Sequence, residues 1–287
     1  MKKSIPTGMV LVFLFAAIAP AETASRASLI ADVETIQPGR PFSLGVLINL
    51  EKGWHTYWIN PGDSGMPPDL DWQLPGGCTA GPLQYPIPQV IDEESLQTYG
   101  YTSQVLFIRK VTPPAILTGT TSVFSVKAAW LICSDACVPQ RAELTLALPN
   151  GAGESDTPSR WGPAFNSTRR ELPFADPAWS FQATAREGGL TLSILPPAGE
   201  PADTLARSRF IPMESGVLAV RSTERQRTAA GYSLAMKKQF PTARLPDRLQ
   251  GLLLLPPVAE NDNGKRAIPV DVPIVEDITT QAKENGP

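Results

Sequence analysis

Two cysteines separated by three small or polar residues, Cys133-Ser-Asp-Ala-Cys137, stand at the end of the apolar run Val126-Lys-Ala-Ala-Trp-Leu-Ile132. A disulfide needs Cα atoms about 4.4–6.8 Å apart, whereas four residues of extended strand cover roughly 13 Å. Cys133 and Cys137 can therefore bond only if the chain reverses between them. Ser134-Asp135-Ala136 has the composition of a three-residue hairpin loop, though without the favoured glycine. Such a small ring removes about 2 kcal/mol of chain entropy, while a Cys78–Cys133 bond would remove about 4 kcal/mol on the same formula. The short ring is a poor staple. Strained or exposed disulfides are the reducible ones, so a redox pair is the leading reading. A structural disulfide and a metal-binding thiol pair stay open. Cys78 is the odd cysteine out, expected as a buried, inert thiol at a strand edge.

Other chemistry-bearing residues are few. His55 is the single histidine of the chain. Alternation along Trp54-His-Thr-Tyr-Trp-Ile59 puts Trp54, Thr56 and Trp58 on one face and His55 and Tyr57 on the other. A lone histidine there is expected as a hydrogen-bonded surface residue, and without a second one no ordinary zinc site can be built. The turn-dense Asn60-Pro-Gly-Asp-Ser-Gly-Met-Pro-Pro68 does not lead from a strand into a helix, so it is not a phosphate-cradling loop. No metal or cofactor site is expected.

The elements that must position these residues are strands. Thirty prolines and 22 glycines among 287 residues disfavour long helices, and 42% apolar residues suffice for a core. A net charge of −3 leaves no basic footprint for nucleic acid. Lys2 and Lys3, the apolar Met9–Ile18 run and Ala19-Pro-Ala21 read as a signal peptide over 1–21. No later stretch approaches 18 apolar residues, so the mature chain is expected to be soluble after export, where thiols tend to oxidise. Seven to nine short strands with frequent turns over 22–149 form the pattern of an antiparallel sandwich, with 86–101 a longer irregular stretch. Residues 150–172 read as a linker, with a possible short helix from Trp161 to Glu171. Residues 173–287 alternate again and read as a second, smaller β-sandwich-like domain without cysteine or histidine. The fold class is all-β.

Residues 28–150 resemble the N-terminal periplasmic domain of the DsbD family of thiol–disulfide reductases, and most resemble its ScsB branch. The resemblance is carried by Gly53-Trp-His-Thr-Tyr-Trp-Ile-Asn-Pro-Gly-Asp-Ser-Gly65, by Tyr99-Gly100 and by Cys133-Ser-Asp-Ala-Cys137-Val-Pro139. It implies an immunoglobulin-like sandwich in the periplasm that takes electrons from a membrane-embedded donor and hands them to thioredoxin-fold proteins. It places Cys137 as the cysteine of the mixed disulfide and Cys133 as its resolving partner. The 91–101 segment matches a cap loop, with Asp92 and Glu93 at its solvated start and Tyr99 and Tyr101 as an aromatic lid. In the family's namesake the cysteines stand further apart and a phenylalanine crowns the cap. Because this chain shows no nicotinamide, flavin or thioredoxin motif and no span after the leader, the electrons are expected from another polypeptide. Two rival functions remain: a copper-handling module using the cysteines with Met66 or His55, and a non-enzymatic interaction module with a structural disulfide.

Overall fold

The computed structural model describes residues 24–93, 95–151, 157–256 and 266–276. The leader assigned to 1–21 and part of the 150–172 segment lie outside them. Two antiparallel sheets make the first half. One has the order β1-β2-β8-β5, from β1 (Ser25–Ala31), β2 (Phe42–Leu50), β5 (Thr79–Gln84) and β8 (Gln104–Thr112). The other runs β10-β9-β3-β7-β6, with β3 (His55–Gly62), β6 (Gln89–Glu93), β7 (Leu96–Thr102), β9 (Thr121–Cys133) and β10 (Cys137–Pro149). A further short strand, β4 (Asp69–Gln73), pairs with β9 beside β3.

Period-two alternation builds the core between these sheets. Along β9, Phe124, Val126, Ala128, Trp130 and Ile132 are buried, with Leu44, Val46, Ile48 and Phe107 facing them from the other sheet. The intervening Lys127, Ala129 and Leu131 share the outer face with Cys133. Strand β2 departs from this rule and is buried on both faces. Its second face is covered by α1 (Gly162–Arg170), whose Phe165 packs against Leu47, Leu106, Ile108 and Ile30. At Gly45 a Cβ would overlap the Leu106 side chain, so glycine there lets the helix lie flat on the sheet.

Ser159 Oγ donates to Ala31 O, and Arg169 pairs with Asp32, so this part of the 150–172 segment is docked rather than a free tether. The stretch from 86 to 101 also differs from expectation. Most of it is the regular β6–β7 hairpin, because Gln89, Val90 and Ile91 find paired partners in Gly100, Tyr99 and Thr98.

The second half is a β unit in one hydrogen-bonded path, β13-β16-β17-β11-β12-β15-β14. These strands are β11 (Ser180–Arg186), β12 (Gly189–Leu195), β13 (Arg209–Pro212), β14 (Leu218–Arg227), β15 (Tyr232–Lys238), β16 (Arg248–Leu255) and β17 (Arg266–Glu276), with a short helix α2 (Ala202–Arg207) between β12 and β13. The pairing is antiparallel except between β11 and β17. Leu190, Leu234 and Met236 share a core with Phe210 and Leu253 from the far end of the path, so the sheet curls round its own apolar face. Ile211, Leu252 and Ala267 instead join the core that contains Trp58 and Tyr99. The two halves are thus in apolar contact.

Candidate functional site: a disulfide beside a histidine and a tyrosine

Strands β9 and β10 run antiparallel in unbroken register from Thr121↔Pro149 to Cys133↔Cys137. That register makes the two cysteines cross-strand partners with Cα atoms 4.2 Å apart, and their sulfurs are bonded. Ser134-Asp135-Ala136 closes the hairpin, with Ser134 N donating to Ala136 O. The two cysteines differ in access. Cys133 is 3% exposed, whereas Cys137 opens to solvent. Cys137 is the more accessible of the two sulfurs.

On its other side β9 pairs with β3, and His55 is the partner of Cys133. Opposed residues have Cβ atoms about 4.5–5.5 Å apart, so register alone sets an imidazole beside the disulfide. Two residues on, Tyr57 faces the same way, its ring edge-on to His55 with centroids 5.1 Å apart. Tyr57 Oη lies 3.2 Å from His55 Nε2 and 3.8 Å from Cys137 Sγ. From the end of β6, Glu93 Oε1 comes within 3.7 Å of His55 Nδ1. The four groups form a row: carboxylate, imidazole, phenol, sulfur.

Burial decides their protonation. It lowers the His55 pKa below 6.5, and the nearby Glu93 charge opposes this without cancelling it. It raises the Tyr57 pKa to about 12, and Glu93 adds to that. At neutral pH the row therefore holds a neutral imidazole and an intact phenol. With the imidazole proton on Nδ1, toward Glu93, Nε2 accepts from the Tyr57 hydroxyl. If the hydroxyl turns to sulfur instead, it can donate to a Cys137 thiolate, and its lone pairs can accept from a Cys137 thiol.

Tyr57 lies on the outer face of its sheet yet is 1% exposed. The cover is the turn-dense segment after β3. Gly65 sits against the Tyr57 ring at φ +105, where a Cβ would overlap ring carbons, so both conformation and space demand glycine. Asp63 ties this segment to β7: Asp63 N donates to Gln97 O, and Gln97 N donates to Asp63 Oδ2 at 2.9 Å. Met66, just beyond Gly65, is exposed.

The expected site residues divide. Cys133, Cys137 and Glu93 come together with His55, which is buried beside the disulfide rather than lying on the surface. Asp92 turns away, accepting from Gln97 Nε2 and approaching Arg221. Tyr99 and Tyr101 are not an aromatic lid. They are 1% and 3% exposed in the inter-sheet core, where Tyr101 Oη donates to Pro86 O. Period two explains this: Thr56 pairs with Tyr101, so both point inward, while Tyr57 and Gly100 share the outer face. Sequence pattern does not single out Tyr57 as a site residue. Its place opposite His55's neighbours was readable, but its proximity to Cys137 needed the β3–β9 pairing. Cys78 is half-buried with a free thiol whose pKa burial raises, and it takes no part in the disulfide.

Residues 26–149 match the family model of the N-terminal domain of the thiol:disulfide interchange protein DsbD. That segment belongs to this family. Across both halves, the chain is similar to the crystal structure of the N-terminal periplasmic domain of ScsB from Proteus mirabilis, at 16% identity and a TM-score of 0.60. The similarity covers 90% of this chain and 96% of that one, and it shows the fold. The periplasmic chaperone SfaE (12% identity, 87% of this chain and 100% of that one, TM-score 0.21) is too distant to carry an argument. The same holds for BcpA, the major pilin subunit of Bacillus cereus (9% identity, 88% and 69%, TM-score 0.25). No curated protein matches. The DsbD-type segment is thus a thiol–disulfide interchange domain extended by a second β unit, and among the described residues no helix is long and apolar enough to cross a membrane.

Proposed function

We propose that the protein is a periplasmic electron carrier that works through Cys133 and Cys137, reduced by a membrane-embedded donor and reoxidised by thioredoxin-fold partners. The observation that carries this reading is the unequal access of two bonded cysteines in a DsbD-type domain. A donor thiolate attacks Cys137 Sγ, a donor–Cys137 bond forms, and Cys133 leaves as a thiolate. The donor's second thiolate then attacks its own sulfur in that bond and releases Cys137. The donor pair is oxidised, this pair gains two electrons, and two protons complete the thiols. In the reverse direction the Cys137 thiolate attacks a partner disulfide, and Cys133 resolves the mixed disulfide. Tyr57 supports release and attack of the Cys137 thiolate as a hydrogen-bond donor, its hydroxyl turning from His55 Nε2 to the sulfur.

The test is trapping. In periplasmic extract, Cys133→Ser leaves Cys137 without its resolving partner, and should accumulate mixed disulfides that Cys137→Ser does not. The reduction potential separates exchange from a structural bond, which should lie below about −300 mV. A potential that low, with no trapped partner, would reject the carrier role.

A further inference from the structure

We infer that Arg221, on β14 of the seven-stranded sheet, is a positioning residue for the cysteine site: it pins the end of the β6–β7 hairpin and thereby holds Glu93 over His55. Arg221 Nη2 donates to Leu96 O at 2.7 Å and lies 3.6 Å from Asp92 Oδ1. Asp92 immediately precedes Glu93, and Leu96 begins the returning strand, so one guanidinium bridges both arms of the hairpin next to the carboxylate that meets His55. Backbone geometry allows Glu93 little independence once both arms are held.

A second tie from the same sheet reaches the other half of the cover. Asn60, at the end of β3, donates through Nδ2 to Pro212 O at 2.8 Å and Glu214 O at 3.3 Å, while its Oδ1 accepts from Gly62 N. The segment that packs Gly65 on Tyr57 therefore starts from an anchor on the second β unit. Asp63 and Gln97 then join segment and hairpin to each other. Both ties come from residues outside the family-matched 26–149, Arg221 in one and Pro212 and Glu214 in the other. The second β unit, which has no cysteine or histidine of its own, acquires a role: it sets how firmly the cover of the disulfide is held.

The inference rests on the exchange reading for its biological meaning but is testable apart from it. The groups around His55 are Glu93 from β6, Tyr57 on its own strand and the cysteines from β9 and β10. As the single histidine of the chain, it gives one imidazole titration curve by NMR. In the full-length protein, Glu93→Gln should lower its midpoint, because the charge opposing burial is gone. Arg221→Ala should shift it the same way and raise alkylation of reduced Cys137, followed by site-resolved mass spectrometry, roughly three-fold, the scale of an exposed charged contact. Arg221→Lys should restore part of both. Arg221 is a surface residue, so the variant should fold, which circular dichroism checks.

If Arg221→Ala matches wild type in both readouts while Glu93→Gln moves the curve, the positioning role is refuted. If Glu93→Gln moves nothing, Glu93 does not sit over His55 in solution and the inference falls with it. A pair that resists small thiols altogether, alongside a shifted His55 curve in Arg221→Ala, would reject the carrier role and leave the positioning intact.

Discussion

Tyr57 Oη stands 3.8 Å from Cys137 Sγ, although 80 positions separate the two residues in the chain. Neither is placed by its own neighbours. Strand β9 lies between them, paired on one side with β3 and on the other with β10, and carries both to one face.

Replacing that hydroxyl tests what it does for the sulfur. Tyr57→Phe keeps the ring that Gly65 covers and removes the donor, so stability should change little. Exchange of the disulfide with a small thiol should slow roughly three- to ten-fold, less than a full hydrogen bond to a charged group because the contact is long. Stopped-flow rates equal to wild type would reduce Tyr57 to packing.

Acid should weaken the fold through His55. Its pKa is lowered below the ordinary 6.5 by burial, so between the two values the unfolded chain binds a proton that the native chain does not. This contribution is full above about pH 6.5 and is lost as pH falls through the window down to the native value. Urea unfolding between pH 5 and 7.5 should show a steeper pH dependence for wild type than for His55→Asn. Identical slopes would mean that the imidazole is not buried in solution.

Gly65→Ala should loosen the cover. A side chain at φ +105 is strained and would also overlap the Tyr57 ring, a cost of roughly 1–3 kcal/mol. The expected result is a lower melting temperature together with faster alkylation of reduced Cys137. A stability loss with unchanged alkylation would show that this segment does not shield the site.

Phe165→Ala probes the docked helix. Its side chain is fully buried against Ile30, Leu47, Leu106 and Ile108, so the change should cost about 3–5 kcal/mol. A chain cut after residue 150 should be destabilised further, because it uncovers β2 and also takes Ile211, Leu252 and Ala267 from the shared core. Full stability of the shortened chain would return 157–171 to the status of a tether.

Much of this was written in local pattern. Alternation over Trp54–Ile59 separated Trp54, Thr56 and Trp58 from His55 and Tyr57, and the five residues from Cys133 to Cys137 demanded a reversal before they could bond. Those inferences hold because pleating has a fixed period of two and a disulfide has a fixed reach. The same alternation, carried across the β3–β7 pairing, is what sends Tyr99 and Tyr101 into the core. Sequence alone could not do this, since Thr56↔Tyr101 is a choice of register between strands about 45 residues apart. Tertiary structure also decided that His55 is buried, that Glu93 rather than Asp92 meets it, and that Arg221 from the far sheet grips their hairpin. Each of these depends on which strands become neighbours. That is settled by the summed burial of whole faces, such as Phe165 closing over β2, and no short window of residues contains that sum.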